Sequence, residues 1–484
     1  ACFWRREPSS KENVIRRGDR RSAIARLLGR WRSRSRRMVA LEALPCIPVA
    51  AQSVRTLSGP DEFRETLLAL IAAARERILI SALYLQDDDA GREVLSALYA
   101  AKAARPALQI ALFVDWHRAQ RGLIGKARSA GNAALYAEMA DRLGPGVPIY
   151  GVPVQRHELL GVMHLKGFIV DDAVLYSGAS INDIYLHRQQ RYRLDRYHLI
   201  DSRPLADSLA GLLLEVLRPN AAVCPLDTVR RAKTSSLRPA IAKLRRTLAK
   251  SSYPIAPDCI AAPASSGPGQ VCVTPLLGLG RANPLNTVVL QLIERAERRL
   301  VIFTPYFNLP RPVRRAIDEK IRQRCKVSIV VGDKTANDYY IPVDQPFSAI
   351  GALPYLYEAN LRRFCKTHQK AVDQGILDVY LWRHDKHSFH LKGLLVDDDY
   401  TLLTGSNINP RAWRLDLENG LLVHDPQCCL REQHEAELAR ILAQALRLDH
   451  HRALDAVDSY PAPVQRLLKR LARTRTDHLV NQLL

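Results

Sequence analysis

The sequence predicts an α/β fold of two tandem α/β/α sandwich units, each a mixed sheet flanked by helices, facing each other across one active site. Three observations predict it. Helical and strand patterns alternate from about residue 55, the same order of patterns returns in the second half, and one short motif, H-x-K-x4-D, occurs once in each half.

In DEFRETLLALIAAARERILISALYL, apolar positions at helical spacing give way to a β-rich run from Ile78 to Leu85. A second helix and strand follow, the strand ending IALFVDW at Trp116. Much later NTVVLQLIERAERRLVIFTPYF repeats the first pair; a helix over 311–324 and a strand KVSIVVGD ending at Asp333 repeat the second. Tyr84 lies 80 residues before His164 and Tyr306 lies 84 before His390, so the copies are matched in length as well as in order. The expected divisions are a basic, disordered arm over 1–50, a first unit over 51–225, a basic linker over 226–268, a second unit over 269–450 and a basic amphipathic segment over 451–484.

Apolar residues make up 47% of the 484 and charged residues 25%, which excludes a wholly disordered, collagen-like or many-span membrane chain. The net charge of +22 points to a polyanionic partner: nucleic acid, an anionic membrane face or a phosphorylated substrate. Residues 1–37 hold 13 basic and 3 acidic side chains, too dense in like charge for a packed element. Met38 follows, and either starts the natural product or ends a lineage-specific basic arm. Nine cysteines without a C-x-x-C pair argue against a disulfide scaffold and fit a reducing cytosol. The run MVALEALPCIPVAA carries Glu42 and two prolines, so it is not read as a signal peptide.

The chemistry is concentrated in MHLKGFIVDDAVLYSGASIND (163–183) and FHLKGLLVDDDYTLLTGSNINPR (389–411). Side chains alternate along a strand, so His164 and Lys166, and likewise His390 and Lys392, share a face. An imidazole beside an ammonium suits attack on a phosphodiester, and two copies supply both a nucleophile and an acid–base. Asp171 and Asp397 complete the motifs from the opposite parity, where a structural role in the turn is expected. Downstream, Ser180 with Asn182 and Ser406 with Asn409 are candidate phosphate contacts, and Asp195 and Glu418 are acids able to fix the tautomer of a catalytic histidine. Arg118, Arg121 and Lys334 stand just past strand ends, where they either meet a pyrophosphate or lie on solvated loops.

On these motifs the chain resembles the phospholipase D superfamily, whose signature is H-x-K-x4-D followed by G-S-x-x-N, twice. Ala179 takes the serine position in the first copy, and the second has one extra residue between Asp397 and Gly405. From about residue 50 onward it is similar to the phosphatidylserine synthases (CDP-diacylglycerol–serine O-phosphatidyltransferases) of Gram-negative bacteria, in VDWHRAQRG, YSGASINDIYLH, DRYHLI, TPYFNLP, VGDKTANDYYIP, IGALPYLYEANLRRF and NPRAWRLDLEN. The resemblance implies phospholipase D-like units and a phosphatidyl transfer from CDP-diacylglycerol to L-serine, with His164 as nucleophile, His390 as acid and base, no cofactor and no metal. Its alternatives are a phospholipase or nuclease that gives the intermediate to water, and a basic binding protein with a vestigial site.

No run of about 18 apolar residues is present, so contact with the inner face of the membrane is expected to be peripheral. The segment 464–484 sets Leu467, Leu468, Leu471 and Val480 among Arg466, Lys469, Arg470, Arg473 and Arg475, a pattern suited to an anionic surface or to a terminal helix with its basic face in water. The basic segments also suit ribosomes or other polyanions.

Overall fold

Two large mixed sheets carry the two halves of the chain. The structure is a computed structural model that describes residues 41–122, 131–228, 234–261 and 267–473; the basic arm over 1–37, Arg475 and Val480 lie outside the described residues. Among the described residues the first sheet has eight strands and the second nine. In the first, Arg77–Ser81 pairs in parallel with Gln109–Asp115 and antiparallel with Gly167–Val170. In the second, Arg299–Thr304 pairs in parallel with Lys326–Gly332 and antiparallel with Gly393–Val396, the same order in the same senses. The register repeats too, with Ser81 opposite Gly167 and Phe303 opposite Gly393.

These strands form because runs such as RILIS and RLVIFT are apolar almost throughout, as a sheet covered on both faces requires. Helices Pro60–Ala73 and Asp89–Ala104 in the first half, and Pro284–Arg295 and Arg311–Arg322 in the second, turn apolar stripes onto the sheets. The strand Ile47–Ala50 joins the second sheet against Gln270–Val273, so the chain visits that sheet before building the first. There Cys46 and Cys272 are bonded as a disulfide with Cα atoms 5.5 Å apart, a pairing that their separation of 226 residues conceals in the sequence.

Two basic segments prove to be docked. The helix Arg238–Leu248 buries Ile241, Leu244 and Leu248. The helix Ala462–Arg473 buries Val464 beside Tyr355 and Tyr460, with Leu467 and Leu468 packed against the same cluster. Its apolar stripe is therefore spent on the protein, at least over the described residues. No helix among them is long and apolar enough to cross a membrane.

Candidate active site

The strand after each motif begins only at Gly167 and Gly393, so His164–Lys166 and His390–Lys392 occupy extended segments leading into it. Their backbones bond instead to the other half. His164 N–H donates to Leu417 O at 2.8 Å and His390 N–H donates to Leu194 O at 2.9 Å. This exchange carries the acids across as well, since Glu418 and Asp195 follow those two acceptors directly. Glu418 lies 2.8 Å from Nδ1 of His164. Asp195 lies 3.4 Å from Nδ1 of His390 and accepts from Nζ of Lys392 at 2.8 Å. Asn419 grips the first segment, accepting from Lys166 N–H at 2.9 Å and donating to Lys166 O at 2.8 Å.

The four motif side chains are buried together. Burial, followed by the charges of Lys166 and Lys392, holds the His164 imidazole well below its ordinary value, and burial with Lys392 does the same to His390. Lys166 is pushed down to about 7 by burial and by Lys392. Burial and nearby Asp416 raise the Glu418 carboxyl, making it a stronger base toward the Nδ1 proton of His164.

The two histidines meet different partners. Nδ1 of His164 faces a carboxylate, so it donates and leaves a lone pair on Nε2. Nδ1 of His390 faces the Tyr185 hydroxyl at 2.8 Å and the Lys392 ammonium, which has no acceptor to offer, while the Asp195 carboxylate stands farther off at 3.4 Å and is taken by Lys392; the nearer donor makes Nδ1 the acceptor and puts the proton on Nε2.

The glycines of the downstream turns serve close approach. A Cβ on Gly178 would stand 2.6 Å from Asp195 Oδ2, and one on Gly405 would stand 2.7 Å from Lys166 Cγ. The serine displaced by Ala179 has a substitute one residue on, where Ser180 Oγ accepts from Lys166 Nζ at 3.0 Å. Ser406 is buried, its N–H donating to Thr404 Oγ1 at 3.0 Å. The amide oxygens of Asn182 and Asn409 are spent locally on Tyr185 N–H at 3.0 Å and Ala412 N–H at 2.9 Å. Asn182 Nδ2 points to Tyr84 and Gln86, at 3.5 and 3.4 Å.

Several candidates from the sequence stand elsewhere. Asp171 accepts from Arg75, Glu76 and Arg77 N–H at 2.8, 2.7 and 3.0 Å, and Asp397 accepts from Glu297, Arg298 and Arg299 N–H at 3.1, 2.8 and 2.9 Å. Both tie the turn before a central strand, away from the imidazoles, because the strand between carries them to its other end. Arg121 is closed by a 2.5 Å ion pair with Glu158. Lys334 is held by Glu358 at 2.9 Å and by Asp455; against burial, those two carboxylates keep its ammonium above the ordinary value. Arg118 keeps its guanidinium 4.9 Å over the Tyr84 ring. A surface grouping unforeseen in the sequence brings ligand atoms of His384, Asp385 and His387 within 4.8 Å of one another.

Sequence reasoning missed Tyr185 and Tyr306, whose rings stand edge-on to His390 with centroids 5.7 and 5.9 Å away, and the Arg193–Asp338 ion pair beside them. The available signal was parity, because Arg193 lies two residues before Asp195 on the same extended segment. A cavity of about 720 Å³ borders the loop after Tyr306 and the short helix Pro410–Arg414 after Asn409, lined by Arg281, Arg314 and Arg363 with Phe307, Phe364 and Trp413.

Paired imidazoles and ammoniums from two repeated halves are the groups that a phosphodiester-transfer centre requires. Residues 289–442 match the family model described as cardiolipin synthase, PLD-like domain. The chain is 48% identical over 445 residues to the CDP-diacylglycerol–serine O-phosphatidyltransferase PssA of Escherichia coli (strain K12), covering 92% of this chain and 97% of that one. It is 44% identical over 448 residues to the corresponding enzyme of Haemophilus influenzae, with 92% and 97% covered. The crystal structure of phosphatidylserine synthase from Haemophilus influenzae Rd KW20 matches with a TM-score of 0.88 over 92% of this chain and 98% of that one. The chain belongs to the phospholipase D-like CDP-diacylglycerol–serine O-phosphatidyltransferase family.

Proposed function

We propose that the chain transfers the phosphatidyl group of CDP-diacylglycerol to the hydroxyl of L-serine through a phosphatidyl-histidine, releasing CMP. The observation that carries this reading is the crossed pairing, which leaves one histidine with a free lone pair on Nε2 and the other with a proton there. Nε2 of His164 attacks the phosphorus that bears the diacylglyceryl group, the P–O bond to the cytidylyl phosphate breaks, and His390 passes its Nε2 proton to the departing oxygen while Lys392 gives a proton to Nδ1, so the ring stays neutral. The serine hydroxyl then yields its proton to Nε2 of His390 as Nδ1 returns its own to Lys392, and the serine oxygen attacks phosphorus. The P–N bond breaks, phosphatidylserine forms and both rings are restored. Lys166 offsets charge on the non-bridging oxygens throughout, and Lys392 does so whenever it holds its proton.

The test is an alkaline quench of the full chain with CDP-diacylglycerol, followed by peptide mass mapping and product analysis. The expected result is a phosphatidyl adduct on the peptide containing His164, and CMP with phosphatidylserine in equal amounts once serine is added. Phosphatidic acid as the sole product, whatever the serine concentration, overturns the reading.

The same reading sets the chain peripherally on the inner face of the cell membrane, where its lipid substrate lies. The basic side of the helix Ala462–Arg473 and the arginine-lined cavity support contact with anionic headgroups, and ribosomes or other polyanions would compete for the same surface. Cosedimentation with phosphatidylglycerol vesicles but not with phosphatidylcholine vesicles is expected, and equal binding to both removes the electrostatic account.

A further inference from the structure

Beside His390 the two halves meet in a charged cluster that phosphoryl transfer does not require. Arg193, from the first half, donates from Nε to Oδ1 of Asp338, from the second, at 2.8 Å, and Nη2 approaches the same oxygen at 2.8 Å. Tyr306 Oη donates to Asp338 Oδ2 at 3.2 Å. The Arg193 guanidinium lies 4.6 Å over the ring of Tyr185, whose hydroxyl reaches Nδ1 of His390. The side chains of Arg193 and Asp338 each keep 13% exposure, so the pair is screened from bulk water without being sealed. Arg191, two residues earlier, adds a second guanidinium that senses Asp338, and its Nε is buried with no hydrogen-bond partner.

Two guanidiniums against one carboxylate leave this cluster a surplus positive charge and an unspent buried donor. A pair kept only to orient Tyr185 and Tyr306 needs neither. The corresponding place in the other half has the opposite character: Asp416, two residues before Glu418 as Arg193 is two before Asp195, is matched by Arg411 at 3.2 Å and accepts from Val162 N–H at 2.9 Å. A surplus cation thus lies beside the histidine that handles the acceptor.

We propose that Arg191, Arg193 and Asp338 bind the zwitterionic head of the amino-acid acceptor, its α-carboxylate on the guanidiniums and its α-ammonium on Asp338, so that its β-hydroxyl is delivered to Nε2 of His390. This rests on the phosphatidyl-transfer reading above and adds the acceptor subsite to it. A site built around buried charged groups rejects analogues that leave one of those groups unpaired. Selection among alcohols thus arises here, in a segment pair separate from the H-x-K motifs.

The test uses the full chain with CDP-diacylglycerol in mixed micelles and two readouts: phosphatidylserine formation as serine is varied, and exchange of labelled CMP into CDP-diacylglycerol without serine, which needs the first half-reaction alone. In Asp338→Asn the ratio of serine transfer to CMP exchange is expected to fall at least about 30-fold, chiefly through the KM for serine, and in Arg191→Met about 10-fold. Exchange also reports that each variant is folded. Acceptor analogues give the second arm. Against the native chain, ethanolamine, which lacks the carboxylate, and 3-hydroxypropionate, which lacks the ammonium, should each be at least about 100-fold poorer than serine. Arg191→Met should narrow the gap for ethanolamine alone, and Asp338→Asn the gap for 3-hydroxypropionate alone. Equal losses in both reactions with the serine KM unmoved, or gaps that narrow for neither analogue, overturn the subsite. Failure of the native chain to make phosphatidylserine at all overturns the underlying reading instead.

Discussion

The two halves carry the same motif and use it differently. In the first, the His164 Nδ1 meets the Glu418 carboxylate, and Lys166 turns aside to Ser180. In the second, Lys392 takes the acid, Asp195, at 2.8 Å and also crowds Nδ1 of His390, while Tyr185 completes that nitrogen's surroundings. The backbone contacts are equivalent, with Leu417 O and Leu194 O accepting from the two histidine N–H groups. Duplication thus supplies two imidazoles in like positions, and a few side chains around Nδ1 decide which nitrogen of each carries the proton.

The hardest test of that difference is to remove each ring in turn. His164→Asn is expected to lower phosphatidylserine formation by at least about 10⁴-fold and to leave no covalent adduct. His390→Asn is expected to cost about 10²- to 10⁴-fold while the adduct still forms on His164. An adduct mapped to His390 in the native chain would reverse the assignment. Exchanging the acids comes next. Glu418→Gln weakens the pull on the Nδ1 proton and should slow adduct formation roughly 10²-fold, read as the rate of CMP release in a single turnover. Asp195→Asn frees Lys392 and should fall mainly on the serine step. Identical effects on both steps from both variants would erase the distinction.

Much of this was legible in the sequence, and the limits are physical. The repeated patterns and their matched spacing reflect two sheets with the same strand order, because alternation of apolar character is a local property. The parity of His and Lys survives even though their segments precede the strands. What stayed hidden depends on contacts between distant residues. The acids were visible at 195 and 418, yet their assignment to the opposite half follows from a backbone exchange across 254 residues for His164 and Glu418. Arg121 and Lys334 looked like phosphate ligands until Glu158, Glu358 and Asp455 were found beside them. Arg193 and Asp338 stand 145 residues apart, and no periodicity connects them.

A smaller effect separates the two lysines. Lys166, pushed down to about 7, is charged below that pH and loses its proton above it. The value of kcat/KM for CDP-diacylglycerol, which reports the free enzyme, is therefore expected to fall up to about tenfold per pH unit as pH rises above about 7. Lys166→Arg keeps its charge across this range, so its profile should lose that limb although its maximum is lower. A native profile flat from pH 6 to 9 removes the claim that burial has softened this ammonium.

The smallest effect expected is on stability, where the halves are braced beside Asp195. Arg196 donates from Nε and Nη2 to the Glu437 carboxylate at 2.9 and 2.6 Å, in a buried pair joining the first half to the helix Arg431–Leu442 of the second. Against the upward pull of burial, this guanidinium holds the Glu437 carboxyl down at about 2, compared with 4.5 for the free group. A carboxyl depressed on folding stabilises the folded state fully above its unfolded pKa, and that contribution disappears as pH falls from about 4.5 through about 2. The depression corresponds to about 3 kcal/mol at neutral pH. Glu437→Gln should therefore lower the urea midpoint at pH 7, with the gap to the native chain closing progressively below pH 4.5. At the first motif Asn419, from the second half, takes the place of Arg196 and is spent on Lys166, so Asn419→Ala should lower the midpoint with no such acid-dependent closure. The same pH dependence in both variants would mean that the brace is not electrostatic, and that the two ends of the site differ in their proton placement but not in how they are held.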